Sequence, residues 1–440
     1  MELLQKIVSL AKRRGFVFPS SEIYGGFGSC YDFGPLGVEM KSNIKKAWWN
    51  EMTRIQESVV GLDAAILMSP KIWEASGHLS AGFADELVEC KKCKKRFRID
   101  EIKDKCPECG GELTEPRKFN LMMKTFIGPV EEKASQAYLR AETCQGIYVN
   151  FKNVLNSMRM KIPFGIAQIG KSFRNEITPR DFIYRTREFE QMEMQWFCHP
   201  EKADEFFSYW KEQRMKWYLD LGIKKEKIKF KEAAKEDLAH YAKRAVDIEY
   251  EFPFGWREIE GVHYRGDWDL SNHSKNSGQD LSYFDEAGKE KYIPHIIETS
   301  AGADRSFFAF LCNAYEEIKG GRTKTTESIK EEEVFLRLHK SLAPVKAAIL
   351  PLMKNKPEIT EKAKEIYRSL KLIFPVQYDE VGSIGKRYRR QDEIGTIFCF
   401  TVDFDSLKQN DLTVRYRDTM EQKRIGIDEI PAFLRKELEQ

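Results

Sequence analysis

Charged and aromatic side chains recur at alternate positions in the segment Ser172–Trp196. Arg174 and Glu176 lie two residues apart near its start, and Phe189 and Glu193 share one parity near its end. Because successive side chains of a β-strand point to opposite faces, a hairpin would bring both sets to one face. A guanidinium suits a phosphate, an aromatic ring can stack on a base, and a carboxylate can hold an ammonium group. An exposed sheet face with salt bridges, such as Arg174 with Glu193, is the alternative.

A second segment, "IIETSAGADRSFFAFL", predicts a buried strand that ends in Glu298, a turn of small residues and a buried helix. Small residues such as Ser300 and Gly302 allow a ligand to approach the backbone closely. Arg305 lies in the first helical turn, where exposed N–H groups and the helix dipole favour anions. The carboxylate of Glu298 could help to hold Mg²⁺ that bridges phosphates. A glycine-containing turn followed by an ordinary helix arginine is the alternative.

Four of the nine cysteines form two Cys-x-x-Cys pairs, Cys90 with Cys93 and Cys106 with Cys109. Each pair can hold one half of a tetrahedral Zn²⁺ site, so the spacing predicts structural zinc. A zinc ribbon alone does not define a function, because such modules serve as structural clips or as nucleic-acid contacts. The other five cysteines are scattered singly, which suits a reducing compartment better than a disulfide scaffold. We interpret one of them, Cys144, as a packing residue.

The composition is that of a globular enzyme of about two to four domains. Hydrophobic residues make up 42% of the 440 residues and charged residues 32%. The net charge of +3 is nearly neutral, so a nucleic-acid partner would have to bind to local basic patches. We find no apolar run of ~18 residues and no secretory signal, so we expect a cytoplasmic protein without membrane segments.

The elements that would position these side chains follow from hydrophobic spacing. Apolar residues with helical spacing predict a helix over Val38–Ile55, and residues 59–70 predict a strand that ends at Pro70. Residues Phe164–Phe197 predict a long antiparallel hairpin. Residues 87–116 and 200–250 have the composition of insertions, the first a zinc ribbon and the second charged and helical. We expect these parts to form one catalytic domain over residues 1–335.

The carboxyl-terminal part has a different sequence pattern. The polar, threonine-rich segment Lys319–Glu333 predicts the passage out of the first domain. Strand and helix patterns then alternate, which predicts a small, mostly parallel α/β domain over residues 340–440. The expected fold class is therefore α/β, with an α+β catalytic domain.

The motifs together resemble the class II aminoacyl-tRNA synthetases, in particular the homodimeric glycyl-tRNA synthetase family, over nearly the whole chain. The segment "YGGFGSCYDFGPLGVEMKSNIKKAWWNEM" resembles the opening of that family, and the Val38–Ile55 helix with the strand after it resembles motif 1. "FRNEITPRDFIYRTREFEQMEMQ" resembles motif 2, and "ETSAGADRSFFAFL" resembles motif 3. Further segments that match the family are "AETCQGIYVNF", "REIEGVHYRGDWDL", "GKRYRRQDEIGT" and "LTVRYRDTMEQKRI". The resemblance implies an antiparallel catalytic sheet flanked by helices, a homodimer and an anticodon-binding domain.

The resemblance also implies residue roles. Arg174 and Arg305, the catalytic residues, would hold the α- and γ-phosphates of ATP, Phe189 would stack on adenine, and Glu258 would be a Mg²⁺ ligand. The full ATP set is Arg174, Asn175, Glu176, Tyr184, Arg185, Thr186, Arg187, Glu188, Phe189, Glu258, Ile259, Gly302, Ala303, Asp304 and Arg305. The glycine set is Arg98, Glu142, Phe189, Glu190, Gln191, Met192, Glu193, Arg265, Glu298, Thr299, Ser300, Ala301 and Gly302. The tRNA set is Arg387, Arg389, Arg390, Arg415 and Arg417, and the zinc set is the four paired cysteines.

The activity implied by the resemblance is ATP-dependent activation of glycine and its transfer to tRNA(Gly). A non-catalytic relative that binds nucleic acid, a zinc-ribbon nucleic-acid-binding protein and a class II synthetase for another amino acid are the alternatives. Three positions depart from the expected family pattern: Thr299 and Ile397 replace prolines and Tyr416 replaces an acid.

Overall fold

The computed structural model describes residues 2–79, 83–99, 102–132, 135–177, 181–234, 236, 238, 241–320, 322 and 332–439. The α-helices are α1 (Glu2–Arg13), α2 (Pro35–Asn50), α3 (Pro70–Ala75), α4 (Cys144–Ser157), α5 (Ala203–Asp220), α6 (Trp268–Ser277), α7 (Ala303–Ala314), α8 (Pro357–Lys371), α9 (Ile384–Glu393), α10 (Ser406–Gln409) and α11 (Ile430–Glu439).

The strands of the first part are β1 (Val17–Pro19), β2 (Tyr31–Phe33), β3 (Val59–Gly61), β4 (Ala84–Glu89), β5 (Arg96–Arg98), β6 (Arg117–Asn120), β7 (Met123–Phe126), β8 (Gln136–Leu139), β9 (Phe164–Phe173), β10 (Glu188–Cys198), β11 (Ile228–Glu232), β12 (Arg244–Phe252), β13 (Gly255–Gly266), β14 (Tyr283–Asp285), β15 (Glu290–Tyr292) and β16 (His295–Gly302). The later strands are β17 (Tyr315–Lys319), β18 (Glu332–Leu336), β19 (Ala347–Pro351), β20 (Val376–Tyr378), β21 (Phe398–Val402), β22 (Asp411–Tyr416) and β23 (Gln422–Gly426). Among the described residues, no helix is both long and apolar enough to cross a membrane.

A seven-stranded sheet in the order β11-β12-β13-β16-β10-β9-β3 forms the centre of the catalytic part. All neighbours are antiparallel except β3 and β9, which run parallel. The predicted antiparallel hairpin is confirmed, with β9 and β10 paired from Phe164↔Phe197 to Phe173↔Glu188. Residues 178–180 of the connecting loop lie outside the described residues.

Helices cover both faces of this sheet. On one face α2, α5 and α7 pack over a core that includes Met192, Met194 and Trp196, as the parity of β10 predicts. On the other face α4 packs Phe151 against Phe197 at one end of the strands. The rest of that second face remains uncovered by helix α4 and forms the floor of a cleft.

Two element predictions are wrong. The strand predicted over residues 59–70 ends at Gly61, and Pro70 begins α3, because proline suits the first helical position. The helical insertion predicted over residues 200–250 contains a helix only over Ala203–Asp220, and β11 and β12 extend the main sheet. β11 is an edge strand whose Lys229 and Lys231 face solvent. Its content of charged residues is therefore similar to that of an exposed helix.

The carboxyl-terminal sheet has the order β20-β19-β21-β22-β23. The α/β class of this part is confirmed, with α8 and α9 packed against β19. The expectation of a mostly parallel sheet needs correction, because β20, β19 and β21 are parallel whereas β22 and β23 are antiparallel additions. The connection from β21 to β22 is too short for a crossover, which makes β22 antiparallel. Residues 321 and 323–331 of the predicted passage lie outside the described residues, and the domain boundary stays a prediction.

Candidate active site

A cleft opens over β10, β13, β16 and the start of α7, beside the residues that follow β9. Its lining residues come from both predicted substrate sets and from four positions that those sets lack. The predicted residues that line it are Glu142, Arg174, Glu176, Tyr184, Arg185, Thr186, Phe189, Glu190, Gln191, Glu193, Glu258, Arg265, Glu298, Ser300, Gly302, Asp304 and Arg305. The additional ones are Ile183, Tyr241, Gly261 and His263.

Strand register explains why these residues meet. Glu193 on β10 pairs with Ser300 on β16 and, on its other side, with Gln168 on β9. Ser300 in turn pairs with Gly261 on β13. Residues directly opposite each other on neighbouring strands point to the same face of the sheet. Alternate residues along these four strands are polar on that face, and together they form the floor of the cleft.

Three donors hold the Glu193 carboxylate, which is 2% exposed. Ser300 Oγ donates to Oε1 over 2.6 Å, Gln191 Nε2 donates to the same oxygen over 3.0 Å, and the Thr143 hydroxyl donates to Oε2. Burial, together with the neighbouring carboxylates of Glu298 and Glu142, raises the pKa of Glu193 to about 7. The pocket therefore holds a carboxylate whose charge is unfavourable until a cation joins it.

Glu298 is a second buried carboxylate, and positive neighbours compensate its charge. Arg265 Nη1 lies 3.2 Å from both of its oxygens, and His263 Nδ1 lies 2.8 Å from Oε1. Burial would raise the pKa of Glu298, but Arg265 and His263 outweigh that effect and lower it to about 2. Asp269 completes the group with a two-point contact to Arg265, at 2.7 and 2.9 Å.

Glu142 supplies a third carboxylate at the same end of the cleft. Its Oε1 lies 3.3 Å from His78 Nε2 and accepts from Gln145 Nε2 over 2.9 Å and from the Cys144 thiol over 3.0 Å. Burial opposes its ionisation, but the charge of His78 and its hydrogen bond hold the pKa of Glu142 well below its usual range. The thiol sulfur of Cys144 lies within 4.8 Å of carboxylate oxygens of both Glu193 and Glu298. One end of the cleft is thus strongly acidic.

The other end carries arginines and aromatic rings. The Arg305 guanidinium lies 4.5 Å from the centre of the Tyr184 ring, and its Nη1 lies 3.2 Å from Glu258 Oε2. The Arg174 guanidinium lies 5.4 Å from the centre of the Phe189 ring, and its Nε donates to the Ala141 carbonyl over 3.1 Å. The cleft therefore has a basic, aromatic end and an acidic end, joined by the polar floor.

Several predicted site residues do not present their side chains to the cleft. Met192, Thr299, Ala301, Ile259 and Ala303 are buried, because they lie on the core face of the sheet or in the core side of α7. In each case the residue next to it in the chain lines the cleft. Any part that these five play in a site would come from their backbone.

Four further residues point elsewhere. Arg187 donates to the carbonyls of Gly28 and Glu176, each over 3.0 Å, and Glu188 pairs with the exposed Lys171. Asn175 lines a neighbouring groove, and Arg98 pairs with Asp85 at 3.3 Å within the cysteine module.

His263 and Tyr241 are the two polar residues among the four lining positions that the predicted sets lack. The ring of Tyr241 lies 3.7 Å from the Arg265 guanidinium. Side chains alternate between the two faces along β13, so the alternation that places Arg265 on the cleft face also places His263 there. This alternation could have identified His263 as a cleft residue from the sequence.

The four paired cysteines meet at the end of a three-stranded sheet formed by β5, β4 and β6. Cys90 Sγ lies 3.5 Å from Cys109 Sγ, and Cys93 Sγ lies 3.7 Å from Cys106 Sγ. Sulfur atoms around a tetrahedral Zn²⁺ with bonds of ~2.3 Å are about 3.8 Å apart, so the thiols fit zinc. Gly111 permits this approach, since a Cβ there would lie 3.0 Å from Cys90 Sγ.

The five arginines predicted to contact tRNA are largely internal. Arg415 is 4% exposed and makes a two-point contact with Asp392, at 2.9 Å each. Arg417 pairs with Asp418 and donates to the Gly395 carbonyl, and Arg387 donates to the carbonyls of Pro351 and Gly382. Internal acids and carbonyls occupy most donors of these three buried arginines, which leaves little of each side chain for tRNA, and their contact with tRNA stays a prediction. Arg389 and Arg390 are half-buried on α9, and Arg390 pairs with Asp379 at 2.7 Å.

Comparison with known proteins shows the family of this chain. Residues 125–315 match the tRNA synthetase class II core domain (G, H, P, S and T), and residues 346–437 match the anticodon binding domain. A glycine–tRNA ligase of Treponema denticola is 55% identical over 99% of this chain and 97% of its own length. The chain belongs to the glycine–tRNA ligase family.

Other glycine–tRNA ligases match over the same extent. The protein of Borrelia garinii subsp. bavariensis is 53% identical over 100% of this chain and 98% of its own length. That of Thermobifida fusca is 50% identical over 99% of this chain and 98% of its own length. A prolyl-tRNA synthetase of Cryptosporidium parvum, solved with halofuginone and AMPPNP, has a TM-score of 0.65 and covers 98% of this chain and 76% of that chain. At 17% identity, that likeness shows a shared fold alone.

Proposed function

We propose that this glycine–tRNA ligase family member activates glycine with ATP in the cleft and transfers the glycyl group to tRNA(Gly). The observation that carries this proposal is the convergence of Glu142, Glu193 and Glu298 at one end of the cleft. Three carboxylates, only one of which is directly paired with an arginine, suit the ammonium group of a small amino acid. The crowding of these side chains leaves little room for a substrate side chain, which favours glycine over larger amino acids.

The basic end of the cleft suits ATP. Arg174 would hold the α-phosphate and Arg305 the γ-phosphate, since guanidinium groups bind phosphate oxygens in pairs. Phe189, beside Arg174, offers a ring for adenine. Glu258 and Glu176 present carboxylate oxygens, the donor type that Mg²⁺ prefers, and Mg²⁺ bound with ATP would neutralise charge on the phosphates.

The reaction follows from this placement. An oxygen of the glycine carboxylate attacks the α-phosphorus of ATP, the bond to the β-phosphate oxygen breaks, and pyrophosphate leaves. The 3′-hydroxyl of the terminal tRNA adenosine then attacks the glycyl carbonyl, and AMP leaves. Positioning of both substrates and stabilisation of phosphate charge by arginines supply the catalysis, so no side-chain nucleophile is required.

The remaining partners are also proposals. The carboxyl-terminal domain would bind the anticodon arm through exposed basic side chains such as Lys423 and Arg424, which lie in the segment "LTVRYRDTMEQKRI". Zinc would hold the cysteine module together, and α2 would contribute to a homodimer. A cytoplasmic location, where tRNA is charged, accords with this function.

Charging of tRNA(Gly) transcripts with radiolabelled glycine tests the proposal. The purified protein should form acid-precipitable glycyl-tRNA that depends on ATP and on tRNA(Gly). Binding of tRNA(Gly) without any charging would instead identify a non-catalytic relative and overturn the proposal.

A further inference from the structure

A buried cluster of charged side chains lies behind the basic end of the cleft. Lys41 Nζ lies 2.7 Å from Glu190 Oε2 and 2.5 Å from Asp304 Oδ1. Lys45 Nζ lies 2.9 Å from the other Glu190 oxygen. The side chains of Lys41, Glu190 and Asp304 are 10%, 15% and 7% exposed, so these ion pairs are shielded from water, unlike most surface pairs.

The cluster joins α2 to two elements that carry part of the cleft, β10 and α7. Lys41 belongs to α2, Glu190 to β10, and Asp304 to the first turn of α7. Asp304 Oδ2 also accepts the backbone N–H of Glu190 over 2.9 Å. The carboxylate of Asp304 thus ties the start of α7 to β10 at the residue that follows Phe189.

The neighbours of these acids in the chain are the groups assigned to ATP. Arg305 follows Asp304 on α7, and Phe189 precedes Glu190 on β10. A change in the spacing between β10 and α7 would therefore change the separation of the guanidinium and the ring. Positions need to hold to within about 0.5 Å for productive binding.

Among the described residues, Lys41 is the one that forms ion pairs with both Glu190 and Asp304. Without the charge of Lys41, the buried carboxylates of Glu190 and Asp304 would repel each other. They would then move apart, or one of them would take up a proton. The ring of Phe33 lies 4.0 Å from Lys41 Nζ and adds a further contact for the ammonium group. Burial opposes the charge of Lys41, but Asp304 and Glu190 raise its pKa above the usual value.

We propose that Lys41, which itself has no role in the predicted substrate sets, is a positioning residue that sets the geometry of the ATP end of the cleft through Asp304 and Glu190. This inference rests on the proposed function. Glu193 and Glu298, two carboxylates of the glycine end, contact Thr143, Ser300, Arg265 and His263, none of which belongs to the cluster. Loss of Lys41 should therefore affect ATP and glycine unequally.

Kinetics of glycine-dependent pyrophosphate exchange test the inference with the full-length protein. Lys41→Met should raise KM for ATP about tenfold or more and change KM for glycine less than about threefold. Lys41→Arg, which keeps the charge, should recover most of the ATP affinity. The matched control is Lys45→Met, one turn along α2, which removes only the half-exposed pair with Glu190 and should change KM for ATP less than about threefold.

A second variant covers the case in which Lys41→Met does not fold. Lys41→Met combined with Glu190→Gln removes one of the two buried charges and should restore folding and part of the ATP affinity. Equal increases in both KM values, or a lower unfolding temperature with unchanged KM for ATP, would overturn the inference. Absence of exchange by the unmodified protein would instead contradict the proposed function, so the two failures are distinguishable.

Discussion

Ser300 on β16 lies directly opposite Glu193 on β10, and its hydroxyl donates to Glu193 Oε1 over 2.6 Å. Glu298, two residues before Ser300, contacts Arg265 and His263 instead. Two carboxylates on neighbouring strands therefore differ in charge state: cationic neighbours stabilise the charge of Glu298, whereas only neutral donors contact Glu193. Glu193 is for this reason the carboxylate that should respond most to a bound ammonium group.

The first prediction concerns pH. The pKa of Glu193 is raised to about 7, so its carboxylate is charged above that pH and neutral below it. An ammonium group binds the charged form, so KM for glycine should rise as pH falls, by about tenfold from pH 8 to pH 6. Pyrophosphate exchange at saturating ATP measures this profile. A flat profile for the unmodified protein would contradict the assignment.

The second prediction concerns the substitution Glu193→Gln. Glutamine can still accept from Ser300 but has no charge, and a lost charge-assisted contact costs about 1.5–3 kcal/mol. KM for glycine should rise about tenfold to a hundredfold, while KM for ATP stays within about twofold. The pH dependence described above should also disappear. An equal increase in both KM values would indicate general damage to the cleft.

The third prediction concerns metal. Metal analysis of the purified protein should find one zinc per chain, held by the four paired cysteines. Cys106→Ser should lose that zinc and lower the temperature at which the module unfolds, because metal binding and folding of such modules are coupled. Cys198→Ser, which changes a buried cysteine outside the cluster, is the control for zinc content. Full zinc content in the Cys106→Ser protein would refute the site.

The fourth prediction separates internal from exposed arginines and lysines of the carboxyl-terminal domain. Arg415→Ala leaves Asp392 with less compensation inside the domain, and breaking a buried pair costs about 3–5 kcal/mol. This variant should unfold at a lower temperature. The side chain of Lys423 is 57% exposed, so the Lys423→Ala protein should be as stable as the unmodified protein. This variant should have a higher KM for tRNA, and its tRNA binding should depend less on salt. The opposite pattern would identify Arg415 as a tRNA contact.

The parts that the sequence predicts well depend on local periodicity. Alternation along β10 correctly assigns Met192 and Met194 to the core and Gln191 and Glu193 to the cleft. The cysteine cluster can be predicted from spacing in the same way. Two Cys-x-x-Cys pairs close together in the chain can readily bind one metal ion between them.

The parts that the sequence does not predict depend on distant partners. Arg415 looks like a surface charge until Asp392, 23 residues earlier, is brought against it by the sheet. His263 has no partner in its own segment, and its contact with Glu298 spans 35 residues. Lys231 and its neighbours suggest a helix because an edge strand and a helix surface can have the same composition.

Pyrophosphate exchange tests the central claim most directly. Radiolabelled pyrophosphate should enter ATP when glycine is present, and serine and threonine should support little exchange. Arg174→Ala should abolish this exchange while the oligomeric mass stays the same, because Arg174 lines the cleft and is proposed to bind the α-phosphate of ATP. No exchange with glycine, or greater exchange with serine or threonine, would contradict the account.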